Sequence, residues 1–591
     1  MKKGLLYLLV AVALYFFPWL FPNSYYVHMA QGFLYTYIVV AGLNLLVGLS
    51  GQLSLGHAGF YAIGAYVTGL CTVAGMPFLL SLLLGVLLCA AAGGLVAMLS
   101  LRAKGPYLAM VTIAFGLLVE IVANRWVEVT GGPAGLYLPE ARLFGAPLGT
   151  VSYYWFIAVV ALIVTVLIDN LFTSRFGRTF RAMGNSEVAA ATVGVHVRNW
   201  KIMAFAISAC TAGLAGALFA FQNAYFNSDT FTFDKSILFL VGVIVGGAGT
   251  RLGPLVGTVV IFLLPQWVQS LYDYHLLIFG GILLVSLIAL PEGIVGGVER
   301  LLKERKKLPP AAGEESSQEA DAPSQMDNKA GAALTVDSVV MEFDGFRAVD
   351  DINLSISGSE VRGLIGPNGS GKSTTVNMLS GVYVPTQGKL RWKGVDVTNY
   401  PPHRMAAAGI TRTFQNLQLF HELTVLENVM LGFHMHYRTG FTANLLHTPG
   451  FWREEKRYRD ESIRLLHFVG LADKADEQAA NLSYGQQRLV EIARALATRP
   501  DLLILDEPAA GASMFEVDNI VRVIRKVKQS GISILLVEHH MEIVMNVCDT
   551  ITVLDFGKKI AEGDPAYIQS HPQVIEAYLG GEEVTQLVVG K

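Results

Sequence analysis

Cysteine is scarce in this sequence, charge is sparse, and neither sign of charge prevails. Only four cysteines occur, Cys71, Cys89, Cys210 and Cys548, and no two stand at metal-ligand spacing. That excludes a disulfide framework or a zinc finger and leaves small packing residues. A net charge of −3 removes the basic field that nucleic acid would need, so no nucleic-acid partner is expected. Charged residues make up 15% of the chain, against about 25% in soluble proteins. The deficit is local: residues 1–298 are mostly apolar, and residues 299–591 have the balance of a soluble protein. A chain of 591 residues is also too long for one ordinary domain.

Apolar runs fill the first half. About 20 apolar residues in a helix cross a hydrocarbon core of about 30 Å. Such runs stand at 4–21, 30–50, 57–75, 78–99, 106–124, 152–172, 202–224, 236–248, 253–268 and 275–291. The pair 236–248 and 253–268 is short and broken by Gly246, Gly247, Gly249 and Gly253. It reads either as two spans or as a re-entrant hairpin, which needs protein or a cavity around it. The total is ten or eight, and either even count returns the chain to its starting side. Lys2 and Lys3 ahead of the first run suggest a signal peptide, but the run reaches Phe21 without a small-residue cleavage site. An uncleaved first span is therefore expected.

Lys2, Lys3, Arg102, Lys104, Arg175, Arg178, Arg181, Arg198, Lys201, Arg300, Lys303, Arg305, Lys306 and Lys307 fall on one side; Arg125, Arg142 and Lys235 fall on the other. The excess predicts both ends of this half in the cytoplasm. His57 reads as a structural hydrogen-bonder, and Glu120, close to Arg125, as an interfacial charge. Residues 308–331 are rich in Ala, Ser, Glu, Asp and Pro and predict a flexible tether within a linker at 299–332.

The second half carries Gly366-Pro367-Asn368-Gly369-Ser370-Gly371-Lys372-Ser373-Thr374, a phosphate loop of the form GxxxxGK[ST]. A strand-like run, Val361 to Ile365, precedes it and a helix-compatible run, Ser373 to Leu379, follows. Phosphates would sit at a helix N-terminus, where free N–H groups and the dipole favour anions. The apolar run Leu502 to Leu505 reads as a buried parallel strand. It delivers Asp506 and Glu507 to the strand's C-terminal end, where open α/β sheets bind ligands. Asp506 can hold Mg²⁺ with Ser373 as a second oxygen. Glu507 is placed to deprotonate an attacking water. Phe343 is a candidate to stack on adenine; Phe346 is its rival, and a plain core role is the alternative.

Leu482-Ser483-Tyr484-Gly485-Gln486, ahead of the helical run Gln487 to Leu496, resembles the LSGGQ signature of ABC ATPases, with Tyr484 in place of the first glycine. Gln415 in Thr413-Phe414-Gln415-Asn416 matches the Q-loop, and His539 after Ile534 to Val537 matches the switch histidine, one place nearer the strand than His540. The resemblance implies ATP and Mg²⁺ as cofactors. It implies catalytic roles for Glu507, His539 and Gln415, a metal set of Ser373, Gln415 and Asp506, and a signature that acts on the opposite subunit's nucleotide. After the strand the chain reads Ala509-Ala510-Gly511-Ala512-Ser513, where the family commonly has Leu and then Asp or Asn. In the loop 173–201, Glu187, Ala190 and Gly194 resemble the EAA docking loop of ABC importers.

Residues 1–298 also resemble the M-type permease subunit of Liv branched-chain amino-acid importers, through Gly42 to Gly48, Gly56 to Gly64, Tyr107 to Thr112 and Pro291 to Ile294. Residues 333–591 resemble the G-type ATPase subunit, through Arg412 to Asn416, Leu445 to Pro449, Asn481 to Arg488, Asp506 to Gly511 and Ala577 to Gly580. The expected architecture is an all-α polytopic membrane domain of eight to ten helices (1–298), a cytoplasmic linker (299–332) and an α/β P-loop NTPase domain (333–591). The resemblance implies ATP-driven import in a bacterial inner membrane, with an external substrate-binding protein. It also implies a second permease and a second ATPase, either H-type and F-type chains or another copy of this chain. Branched-chain amino acids lead as cargo; urea, short amides and aromatic acids stay open. Short Gly-broken spans oppose an exporter. Retained Glu507 and His539 oppose a non-transporting ATP-binding regulator.

Overall fold

The computed structural model describes residues 2–101, 103, 105–267, 280–281, 284–285, 288–290, 292–306 and 333–579. Arg102, Lys104 and Lys307, most of the expected span 275–291, linker residues 307–332 and Gly580 lie outside the described residues. The chain divides into two compact units. The first holds Met1–Gly184, Arg198–Gly313 and Asn444–Leu446; the second holds Asn185–Val197, Glu314–Ala443 and His447–Lys591.

The first unit is helical: α1 (Lys2–Leu20), α2 (Ser24–Asn44), α3 (His57–Val73), α4 (Phe78–Leu99), α5 (Pro106–Arg125), α6 (Thr150–Thr173), α7 (Arg175–Asn185), α9 (Val197–Asn223), α10 (Phe233–Gly246), α11 (Gly253–Trp267) and α12 (Gly293–Lys306). The short helix α8 (Glu187–Thr192) falls in the second unit. Among the described residues, α2 with its π-helical continuation, α4, α5, α6 and α9 are long and apolar enough to cross a membrane. Pro106 stands in the first turn of α5, where its missing N–H costs nothing. Leu83, Leu87, Leu117, Leu118 and Ile121 are exposed on α4 and α5, as a lipid-facing surface requires.

Helices α3 and α9 touch backbone to backbone. A Cβ on Gly64 would collide with the Gly213 carbonyl, and one on Gly216 with the Tyr61 carbonyl. Small residues permit that approach. His57 is fully buried, its ring nitrogens 2.9 Å from Ser54 Oγ and 2.7 Å from Ser208 Oγ, the structural role expected of it. All four cysteines are unpaired thiols.

Helix α10 has 14 residues, about 21 Å at 1.5 Å per residue, short of the ~30 Å core; α11 is described from Gly253 to Trp267. Asn44 secures the glycine-rich turn between them: Nδ2 donates to Thr250 O at 2.9 Å and Oδ1 accepts from Gly249 N at 2.8 Å. Irregular backbone is thereby satisfied by protein, as a low-dielectric site demands. The boundary expected at residue 298 falls inside α12, so residues 299–306 are helical rather than tether. Glu299 to Lys306 are strong helix formers, which continue the helix that the apolar turn starts.

The second unit is α/β. Strands β1 (Ala333–Phe343), β2 (Phe346–Ser357), β4 (Gln387–Trp392) and β5 (Val395–Asp396) form an antiparallel sheet in the order β2-β1-β4-β5. Asp344 and Gly345 close its first hairpin with φ of +47° and +88°, the two-residue turn suited to strand twist. The larger sheet contains β3 (Val361–Ile365), β6 (Ile410–Arg412), β7 (Leu502–Asp506), β8 (Ser533–Val537), β9 (Thr550–Asp555) and β10 (Lys558–Gly563). Its order is β6-β7-β8-β3-β9-β10, parallel except for β10. Every residue of β3, β7 and β8 is buried, as in a parallel sheet covered on both faces. The helices that bear on the site are α13 (Lys372–Leu379), α14 (Pro402–Ala407), α15 (Val425–Gly432), α16 (Pro449–Val469), α17 (Tyr484–Ala497) and α18 (Met514–Gln529). Since β6, β7, β8 and β3 are successive neighbours, the loops after them share one edge of the sheet.

Candidate ATP site

The loop after β3 wraps back on itself. Gly366, Gly369 and Gly371 have φ of +152°, +83° and +97°, and a Cβ on Gly371 would press on the Ala348 carbonyl. Gly371 caps α13 without a side-chain hydrogen bond, which leaves the first-turn N–H groups for an anion. Lys372 Nζ donates to Gly366 O at 2.7 Å and Pro367 O at 2.8 Å. Burial pulls its pKa below the ordinary lysine value, against the opposing pull of the Glu507 and Asp506 carboxylates. Ser373 is exposed beside it.

Three residues predicted from sequence converge on one oxygen. Glu507 Oε1 accepts from Gln415 Nε2 at 3.1 Å and lies 2.9 Å from His539 Nε2. They come from the loops after β6, β7 and β8, so the strand order brings them together. Glu507 has φ of +48°, a left-handed conformation costly for a side chain of its size. Its N–H is bonded to Val537 O at 2.8 Å, which ties that strained position to the neighbouring strand. A carboxylate so held is set to orient a water and take its proton. His540 is exposed and makes no such contact.

Asp506 is buried against a partner that sequence reasoning missed. Its Oδ2 accepts from Arg412 Nη2 at 2.7 Å, and Arg412 Nη1 reaches Asn377 Oδ1 at 2.5 Å. The Mg²⁺ expectation for Asp506 therefore rests on its other oxygen. A second missed group braces Gln415 from behind. Arg488 of α17 donates to the carbonyls of Phe414 and Gln415 and to Tyr484 Oη, the last at 3.0 Å. Glu491 accepts from Phe414 N at 3.1 Å and pairs with Arg488 at 3.0 Å, both side chains being only 1% exposed. Glu538 is the third, buried between the loops after β7 and β8: its oxygens accept from Ala509 N at 2.8 Å and His539 N at 3.1 Å. Burial raises its pKa against those N–H groups.

The signature segment opens α17 as a capping box. Ser483 Oγ accepts from Gln486 N at 3.3 Å, and Gln486 Oε1 accepts from Ser483 N at 3.3 Å. Ser483 Oγ also donates to Glu516 Oε1 at 2.6 Å, and Lys474 Nζ to Gln486 Oε1 at 3.0 Å. Among the described residues, the side-chain bonds of Ser483 and Gln486 outside the capping box go to Glu516 and Lys474, and those of Lys372 to Gly366, Pro367 and Ser370. Ser513 caps α18, with Oγ and N each donating to Glu516 Oε2 at 2.9 Å. The hydroxyls of Ser483 and Ser513 thus share one carboxylate, whose pKa they lower, Ser483 most. Phe343 is half-exposed, edge-on to Tyr383 at 5.5 Å; Phe346 is more exposed.

Helix α8 lies in the ATPase unit. Ser186 caps it by accepting from Ala189 N at 3.3 Å, and Ala189 and Ala190 are fully buried. It packs on α14, with the rings of His196 and His403 4.5 Å apart. Gly194 has φ of +90°, and a Cβ there would meet the Met435 side chain. Glu187 opens the helix.

Comparison with known proteins places this geometry. Residues 25–287 match the family model of the branched-chain amino acid transport system permease component, and residues 349–510 that of ABC transporters. Residues 558–584 match that of branched-chain amino acid ATP-binding cassette transporters. The high-affinity branched-chain amino acid transport ATP-binding protein BraF of Pseudomonas aeruginosa is 42% identical over 248 residues, which are 42% of this chain and 97% of that protein. The chain belongs to the branched-chain amino-acid ABC transporter family. LivG of Escherichia coli is 41% identical over the same length, again covering 97% of that protein. A probable LivG of Archaeoglobus fulgidus is 38% identical over 243 residues, 41% of this chain and 93% of that protein.

This transporter chain joins a permease domain and an ABC transport ATPase. Its phosphate loop fits ATP: uncapped N–H groups, a lysine folded into the cradle and glycines where a Cβ would intrude. Bound ATP supplies the phosphoanhydride whose cleavage releases the energy. The exposed Ser373 hydroxyl and the Asp506 oxygen not bonded to Arg412 are donors of the kind that Mg²⁺ takes. Nothing in the local sequence of the missed groups Arg412, Arg488, Glu491 and Glu538 separates them from solvated charges.

Proposed function

We propose that this chain is the fused permease–ATPase half of an importer that spends ATP to move branched-chain amino acids into a bacterial cell. The observation that carries the reading is α8. A segment that leaves and re-enters the permease sequence packs on α14 of the ATPase, two residues from where β6 leads towards Gln415. Movement of Gln415 on nucleotide turnover then has a short mechanical route to Glu187, Ala190 and Gly194.

In this reading Glu507 activates the water, with His539 and Gln415 holding its carboxylate. Lys372 and the loop Gly366 to Thr374 bind the phosphates, Phe343 stacks on adenine, and Ser373, Asp506 and Gln415 hold Mg²⁺. Leu482 to Gln486 clamp the nucleotide of an opposing ATPase. The opposing half is an H-type permease with an F-type ATPase, or a second copy. An external binding protein delivers the solute, both ends of the permease half face the cytoplasm, and the membrane is the inner one. Uptake of radiolabelled leucine, urea and benzoate by right-side-out vesicles given that receptor tests the reading. ATP-dependent leucine accumulation is expected. Solute-independent ATP hydrolysis with no accumulation overturns it.

A further inference from the structure

The permease unit contains a cation enclosed by aromatic rings. Lys235 opens α10, and its Nζ stands 4.9 Å from the ring centroid of Tyr61, 4.5 Å from that of Phe219 and 5.8 Å from that of Phe231. Phe239 extends the enclosure, 5.7 Å from Tyr61. Ring faces stabilise an ammonium, more so away from water, but they leave its hydrogen-bond donors unused. Of three donors, one goes to Thr230 O at 3.2 Å. Among the described residues no carboxylate pairs with it. The Tyr61 hydroxyl, on the ring that Lys235 covers, is buried and has no hydrogen-bond partner. A cation without a counter-ion and an orphaned hydroxyl on the same side chain cluster are independent signs of a missing acceptor.

We propose that Lys235 and Tyr61 form a carboxylate-binding station for the transported solute. The ligand is a small monocarboxylate with an apolar body. Its carboxylate takes the free Lys235 donors and the Tyr61 hydroxyl, and its apolar part lies on Phe219 and Phe231. Charge-assisted bonds are about twice as strong as neutral ones, so the station favours amino acids and aromatic acids over urea and neutral amides. The charge pattern assigns Lys235 to the outer side, where a receptor would release its load. The station rests on the importer reading, and it narrows the cargo.

Equilibrium binding of radiolabelled leucine and benzoate to the purified full chain in nanodiscs, without receptor, tests it. Wild type is expected to bind leucine, with leucinamide failing to compete. Lys235→Met is expected to weaken binding by about tenfold or more, with Lys235→Arg restoring most of it. Tyr61→Phe, which removes one hydroxyl and keeps the ring, is expected to weaken it several-fold; size-exclusion profiles report folding of each variant. No saturable binding of either acid by wild type, or equal binding by Lys235→Met, overturns the station. If Lys235→Met does not fold, unchanged binding by Tyr61→Phe overturns it. Lys235-dependent binding of benzoate alone keeps the station and rejects the branched-chain reading. Leucine uptake without Lys235-dependent binding keeps that reading and rejects the station.

Discussion

Glu507 occupies a backbone conformation that its side chain disfavours, and its N–H is tied to Val537 of the neighbouring strand. Its carboxylate is matched to one task, so Glu507→Gln should keep ATP binding and lower phosphate release by about 10²-fold or more. Filter binding beside a phosphate-release assay checks both halves of that expectation. Lys372 gives a pH signature. Burial lowers its pKa, so as pH rises its charge is lost earlier than from an ordinary lysine. ATP affinity should therefore fall on the alkaline side, starting below the ordinary lysine value, and binding there should take up a proton. Titration with a fluorescent ATP analogue from neutral to alkaline pH measures the fall; affinity constant up to the ordinary lysine range would contradict it. Lys372, Glu507, His539 and Gln415 were legible in sequence because each stands in a spaced motif, just past the end of a strand or where the helix after it begins. Arg412, Arg488 and Glu491 were not, because a buried ion pair uses the same residue types as a solvated surface.

At the scale of elements, α17 does two jobs. Its N-terminus carries the signature residues and its first turns hold the Q-loop backbone through Arg488 and Glu491. Arg488→Ala would leave buried Glu491 with Arg494 at 3.7 Å and the Phe414 N–H, and the loss of its closer partner should cost about 1–3 kcal/mol. The melting temperature of the ATPase unit, followed by circular dichroism, should drop accordingly. Helix α8 is too short to persist alone; its Ser186 cap, buried alanines and packing on α14 define it. Glu187→Ala should leave ATP binding near wild type while reducing leucine accumulation per ATP hydrolysed. Normal coupling in vesicles would remove Glu187 from the transmission route. The structure also changes the reading of Ser513, which caps α18 and shares Glu516 with Ser483. It ties the segment after β7 to the signature within one chain.

At the scale of the whole molecule, the chain unites a helical membrane-type unit with an α/β cassette. The signature residues bond to Glu516 and Lys474, and under the proposed function they complete the site of a second ATPase. Glu507→Gln with ATP should therefore trap two cassettes together, whereas wild type should release them after turnover. Light scattering of the detergent-solubilised protein with and without ATP reads this directly, and an unchanged mass would contradict it. The glycine-rich turn between α10 and α11, satisfied by Asn44 from a distant helix, shows how the helical unit tolerates irregular backbone.

By itself, the order of residues determined the local features of this protein: apolar runs that must be helical in lipid, strand-sized runs that must be buried, and glycines at left-handed turns. These follow from hydration and backbone sterics acting over a few residues. Only the tertiary structure decided which groups meet. The row β6-β7-β8-β3 gathers Gln415, Glu507, His539 and Lys372 from stretches far apart in the chain. Folding pairs Arg412 with Asp506, suspends Gln415 from Arg488 and encloses Lys235 in rings from α3, α9 and the turn before α10. Buried charge is stabilised by the opposite charges, dipoles or ring faces that packing brings to it in three dimensions.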